Sequence, residues 1–189
     1  MNRQSVHADW QEYPAREHSS YGSFVAGGVG DANRYAAKPQ PSQSLIRAVQ
    51  RELAERKYYR GQLDGSLTIY TRAAVMDYQT EHRQPLTGEV SETLLHMILL
   101  GTSLETTPSD TDITPQARYV VRHIQSLLKQ VGLDEVQVTG RLDAATLSAI
   151  REFELYQRLP PKGRISQGLL VQLERVSRER KARRDIAAR

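Results

Sequence analysis

The same stretch occurs twice in this chain, and that fact limits its fold more than any other. A shift of 75 residues, which carries Thr71 onto Thr146, lays Val138 to Glu154 over Leu63 to Gln79 without a gap. Each copy opens with a glycine turn, Asp64-Gly65 in the first and Thr139-Gly140 in the second. Each then runs into apolar residues at helical spacing: Ala74, Val75 and Tyr78, then Ala149, Ile150 and Phe153. In the first turn Asp can bond the backbone ahead of it, and Gly accepts a positive φ that a Cβ resists. Two copies divide the 189 residues into modules of roughly 55–60 residues, near the lower limit for folding alone. Such modules gain stability by docking on each other.

The match extends to caps and breakers. Ser42 is placed to cap a first helix carrying Leu45, Val49 and Leu53, widened by Ile46 and Ala48 and ending near Tyr58. Thr68 caps a second helix, Pro85 and Gly88 break the chain, and Ser91 opens a third with Leu94, Leu95 and Ile98. Thr114-Pro115 then sets a cap before a proline at the first helical position. Val120, Ile124 and Leu128 repeat the first stripe, Gln125 repeats Gln50, and Asp143 replaces Thr68 as a stronger cap. Pro160, Gly163, Ser166, Leu169 and Leu170 repeat Pro85, Gly88, Ser91, Leu94 and Leu95. The expected fold is all-α, with two tandem three-helix modules at 42–101 and 114–176. Residues 1–41 read as a disordered tether, 102–113 as a Thr- and Ser-rich linker, and 177–189 as a basic helical or frayed tail.

Composition narrows the chemistry. With no cysteine, thiol nucleophiles, disulfides and zinc-thiolate sites are excluded. The formal charge of +4 sits largely in the C-terminal arginines, from Arg175 to Arg189, and leaves acidic polymers open as partners. No run approaches a membrane span. Met1 to Trp10 lacks a basic start followed by an apolar core, so it does not read as a signal peptide. The expectation is a cytosolic protein, or one whose export or anchoring segment lies outside this chain.

The combined pattern resembles the three-helix, type-1 peptidoglycan-binding module. Val49-Gln50, Tyr58, Gly61-Gln62-Leu63-Asp64-Gly65, Thr71, Ala74-Val75, Tyr78-Gln79 and Leu86-Thr87-Gly88 stand at the matching positions. The second copy keeps Ile124-Gln125, Thr146, Ala149-Ile150 and Gly163 but has Thr139-Gly140, Phe153-Glu154 and Leu133 where the first has Asp64-Gly65, Tyr78-Gln79 and Tyr58. Lys57 stands where the module usually has glycine. The resemblance implies a noncatalytic protein of Gram-negative bacteria that anchors to or senses the murein layer. It implies a periplasmic setting, a membrane anchor supplied by a segment absent from this chain, and a separate cell-wall enzyme as a second partner. Drift of the polar loop residues in the second copy points to a docking role for that copy.

A receptor for peptidoglycan needs an aromatic or aliphatic face, amide or hydroxyl partners, and a cation for peptide carboxylates. Tyr58, Tyr59, Arg60, Asp64 and Gln79 are the candidates, lining a shallow groove beside the Asp-Gly turn. Among them Tyr58 also suits the core, as Tyr78 does, and Asp64 also suits its own turn. Tyr59, Arg60 and Gln79 are expected to be free for contact, since the pattern does not require them inside. No metal or cofactor is expected: His7, His18, His82, His96 and His123 are scattered, without His-x-x-x-His spacing. Glu152 and Glu154 lie two apart on a helix and point apart, so they make no acid–base pair, and no phosphate loop or Gly-x-Ser-x-Gly elbow occurs. The alternatives are a protein scaffold built on the same modules and nucleic-acid binding through the basic tail. Asp77, Glu81, Glu152 and Glu154 on the candidate reading helices oppose the latter.

Overall fold

A computed structural model describes residues 40–101 and 113–188. Of the expected tether over 1–41 and linker over 102–113, residues 1–39 and 102–112 lie outside the described residues. Within them the chain forms six helices and no strand: α1 (Gln43–Glu55), α2 (Ile69–Glu81), α3 (Glu92–Leu100), α4 (Pro115–Gln130), α5 (Ala144–Tyr156) and α6 (Gln167–Ala187). Ser42, Thr68, Ser91, Thr114, Asp143 and Ser166 cap them in order, each accepting the backbone N–H three residues ahead. A cap of this kind is worth about 1 kcal/mol. The first helix stops at Glu55, short of the expected Tyr58, because Lys57 turns into the left-handed region at φ 68° and its N–H returns to the Ala54 carbonyl.

The two triads close their loops in the same way. Arg83 and Arg158 take left-handed φ values of 54° and 56°. The N–H groups of Gln84 and Leu159 then return to the carbonyls of Gln79 and Glu154, both at 2.8 Å. The second triad departs from the first at its far end, where α6 runs on through the basic tail to Ala187.

Among the described residues there are two cores, and α2 contributes to both. One face of α2 supplies Ala74, Val75 and Tyr78 to a cluster with Ile46, Val49 and Leu53 of α1 and Leu94 and Ile98 of α3. The other supplies Ala73 and Met76 to the second triad's cluster, with Val120, Ile124, Ile150, Phe153 and Leu170. Its counterpart α5 buries one face only, through Thr146, Ala149, Ile150, Phe153 and Glu154. Equivalent residues register this asymmetry. Val120 and Leu170 are fully buried, whereas Leu45 and Leu95, one repeat earlier, are only partly so. The buried residue expected at Leu45 in α1 is thus Ile46, one position along.

Candidate functional site

The loop between α1 and α2 is built around one buried amide. Gln50 Oε1 accepts the Gly65 N–H at 2.9 Å, and Nε2 donates to the Ser66 carbonyl at 3.0 Å and to Thr71 Oγ1 at 3.3 Å. Gln125 makes the same contacts one repeat later, with Gly140 N–H at 2.8 Å and with the Arg141 carbonyl and Thr146 Oγ1 both at 2.9 Å. Both glutamines are fully buried. Gly65 is required by its φ of 77° and by space, since a Cβ there would come 2.5 Å from the Gln43 carbonyl oxygen.

The five candidates of the first module do not form one groove. Tyr59 is buried, and its hydroxyl donates to the Gln62 carbonyl at 3.0 Å. Gln79 is buried as well. Its Oε1 accepts from the N–H groups of Thr87 and Gly88 at 3.0 and 3.1 Å, and its Nε2 donates to Thr87 Oγ1 at 2.7 Å. The expectation that these two stand free is therefore corrected: each is spent inside its own triad, closing a loop that would otherwise bury unpaired backbone groups. Tyr58 is half-buried, packs edge-on against Tyr78, and has a pKa raised to about 12, first by burial and then by the Glu81 charge. Asp64 is exposed. It accepts the Ser66 N–H at 2.8 Å, and that backbone bond leads in holding its carboxyl below the usual range. The side chain of Arg60 is exposed.

The second triad docks where the first triad's groove would be. The Arg60 N–H donates to Gln167 Oε1 at 2.6 Å, and Arg164 lies 2.5 Å from both Asp77 Oδ1 and Glu81 Oε2. The Arg164–Asp77 contact is an ion pair without hydrogen-bond alignment, since neither Arg164 Nε nor Asp77 Oδ1 has an aligned partner. Burial raises the Asp77 pKa against the pull of Arg164; in Glu81 burial also pushes upward, but the Arg164 hydrogen bond and charge outweigh it. Tyr70 donates to Glu174 Oε2 at 2.6 Å and has a pKa of about 12, raised by burial and by that carboxylate.

One repeat later the corresponding surface is open. Gly132 to Val136, Ala145, Ser148, Ala149 and Glu152 line a cavity of about 400 Å³. A second, of about 240 Å³, shares Gly132, Leu133 and Glu152 and adds Phe153, Tyr156 and Arg180. Glu152 and Asp134 stand where the first triad has Asp77 and Tyr59. Tyr156 is 73% exposed, and Arg180 reaches back from the extended α6 to lie over Gly132. The two adjoining cavities thus bring the carboxylates of Asp134, Glu135 and Glu152 onto one surface with the aromatic face of Tyr156 and the guanidinium of Arg180. None of the lining residues was among the sequence candidates. Their signal lay in the repeat itself, where Ala145, Ser148 and Glu152 replace Tyr70, Ala73 and Asp77, but it had meaning only once the docking of the first triad was visible.

Among the described residues no group of three His, Asp or Glu is placed to hold a metal, and no helix is long and apolar enough to cross a membrane. A family model described as "Putative peptidoglycan binding domain" matches residues 42–98 and again 118–173. No curated protein and no solved structure matches the chain.

Proposed function

Since the chain belongs to the peptidoglycan-binding domain family, we propose that it is a noncatalytic cell-wall protein that grips murein through its second triad. The observation that supports this reading is the open groove on the second triad, at the surface which the first triad uses for docking. Stem peptides of murein offer free carboxylates and, at their diamino residue, an ammonium. Arg180 suits the former, Glu152 and Asp134 the latter, and Tyr156 offers a face to a sugar ring or peptide plane. This assignment reverses the expected division of labour, in which the first module binds and the second docks. On the first module Arg60 and Asp64 keep exposed side chains and contribute a weaker, peripheral contact. Residues 42–101 and 114–176 act as one gripping unit, in the periplasm of a Gram-negative cell and alongside a separate wall enzyme.

Co-sedimentation with purified sacculi tests the reading. Tyr156→Ala and Arg180→Gln should each reduce retention about tenfold, equivalent to about 1.4 kcal/mol, while Arg60→Ala changes it little. Retention untouched by both groove variants would move the site elsewhere, and absence of wild-type retention would end the wall-binding proposal.

A further inference from the structure

The first triad contains a buried carboxamide that the fold does not use. Gln84 is 2% exposed, and neither its Oε1 nor its Nε2 has a hydrogen-bond partner. The neighbouring Tyr78 hydroxyl is near enough for Gln84 to influence its titration, yet it donates to the Met97 carbonyl at 3.2 Å, and no aligned bond joins the two side chains. Gln79 beside it is fully engaged with Thr87 and Gly88. Burying an amide without partners is costly, and the repeat shows that the cost is avoidable. Leu159 occupies the same position in the second triad, and its N–H closes the same turn at the same 2.8 Å. A glutamine is therefore kept where a leucine satisfies the backbone.

Gln84 borders a cavity of about 150 Å³ between the end of α2 and α3, together with Pro85, Thr87, Ser91, Leu94 and Met97. By liquid volume that space holds about five waters, or one acetamido-sized group. We propose that this cavity is a subsite for a methyl-bearing secondary amide, with Gln84 as its hydrogen-bonding partner. The carboxamide offers a donor to a ligand carbonyl or an acceptor to an amide N–H, while Leu94, Met97 and Pro85 shelter the methyl group. Two parts of murein carry this chemistry, the N-acetyl group of its amino sugars and the alanine amides of its stem peptides. Only the choice of these two sources rests on the wall-binding proposal.

The full chain, labelled with ¹⁵N, is titrated separately with an N-acetylglucosamine dimer and with a sugar-free, alanine-containing stem peptide. One of the two should shift the Gln84 side-chain NH₂ resonances and the backbone of Thr87 to Ser91, and which one does so identifies the source. Gln84→Leu should abolish those shifts while raising the melting temperature by a few degrees, because it installs the second triad's own residue. No shift with either probe at millimolar concentration, together with a more stable Gln84→Leu protein, would mean that the cavity holds water only and would overturn the subsite. Sacculus retention is scored separately: if the wild type is retained and the titrations are silent, the subsite falls and wall binding stands. If the titrations respond and sacculi are not retained, the reverse holds.

Discussion

The backbone N–H of Arg60 and the side-chain carbonyl of Gln167 meet at 2.6 Å across 107 residues of sequence. This bond, with Tyr70 to Glu174 and Thr114 to the Thr87 carbonyl, both at 2.6 Å, ties the two triads along α2 and its flanking loops. Met76 is fully buried in the cluster that α2 shares with the second triad. Met76→Ala should cost about 2–4 kcal/mol, the usual range for such a truncation. Because α2 lines both cores, calorimetry should show one transition moved as a whole. Two transitions, with one left in place, would mean that the triads fold independently.

Gln50 and Gln125 make the same loop clamp in both copies, so their removal should cost alike. Replacing either by Leu strands a buried glycine N–H and a part-buried carbonyl, a loss of about 1–3 kcal/mol. Gln50 also lies 3.4 Å from Tyr59 Oη and Asp64 Oδ1, long contacts that add little. Urea unfolding of the two variants checks this, with similar midpoint shifts expected and an unchanged slope.

Much of the fold was legible because its determinants are local. All six caps stood in the sequence, as did the breakers at Pro85 and Pro160 and the apolar stripes of α1 and α4. What could not be read was which stripe faces a second partner. Tyr70, Ala73, Met76 and Asp77 on α2 are an unremarkable mixture until another triad covers them, and the same docking decides that Val120 is buried and Leu45 is not. The candidate site suffered for a related reason. Tyr59 in a polar loop and Gln79 near the end of α2 both look available, but the short loops beside them must have their backbone satisfied, and these side chains do so. Arg180 comes from a helix extension that charge alone would assign to solvent.

Lys57 holds a left-handed φ of 68°, at the position where the second copy has Gly132 at 93°. A side chain in that region costs roughly 1–2 kcal/mol, partly offset in any glycine replacement by the added freedom of the unfolded chain. Lys57→Gly should therefore stabilise by about 0.5–1 kcal/mol. The measurement is a thermal melt beside Gly132→Ala, which should move the opposite way, because an L side chain at the φ of 93° held by Gly132 is strained.

Glu154 replaces Gln79 in the second copy and accepts the Gly163 N–H at 2.7 Å. Burial raises its pKa above 4.5, against the opposing pull of that N–H and of Lys162. The sign follows directly. A carboxyl whose native pKa lies above its unfolded value favours the fold when protonated, and that contribution is lost as pH rises through the native pKa. Glu154→Gln alone would leave an amide N–H without the hydroxyl that Thr87 gives Gln79, because Lys162 stands in that place. The double variant Glu154→Gln/Lys162→Thr rebuilds the first copy's clamp without a buried charge. It should exceed the parent in stability at pH 7 by on the order of 1 kcal/mol. That advantage should shrink as pH falls towards 4.5, because the parent's carboxyl takes up its proton while the variant has none to gain. Paired unfolding curves at pH 7 and pH 4.5 decide the matter, read also against Lys162→Thr alone, because Lys162 holds the Asp77 and Glu81 carboxyls down as well and its loss moves their titrations. An advantage that grew on acidification would mean that the charged form of Glu154 is the one the fold prefers.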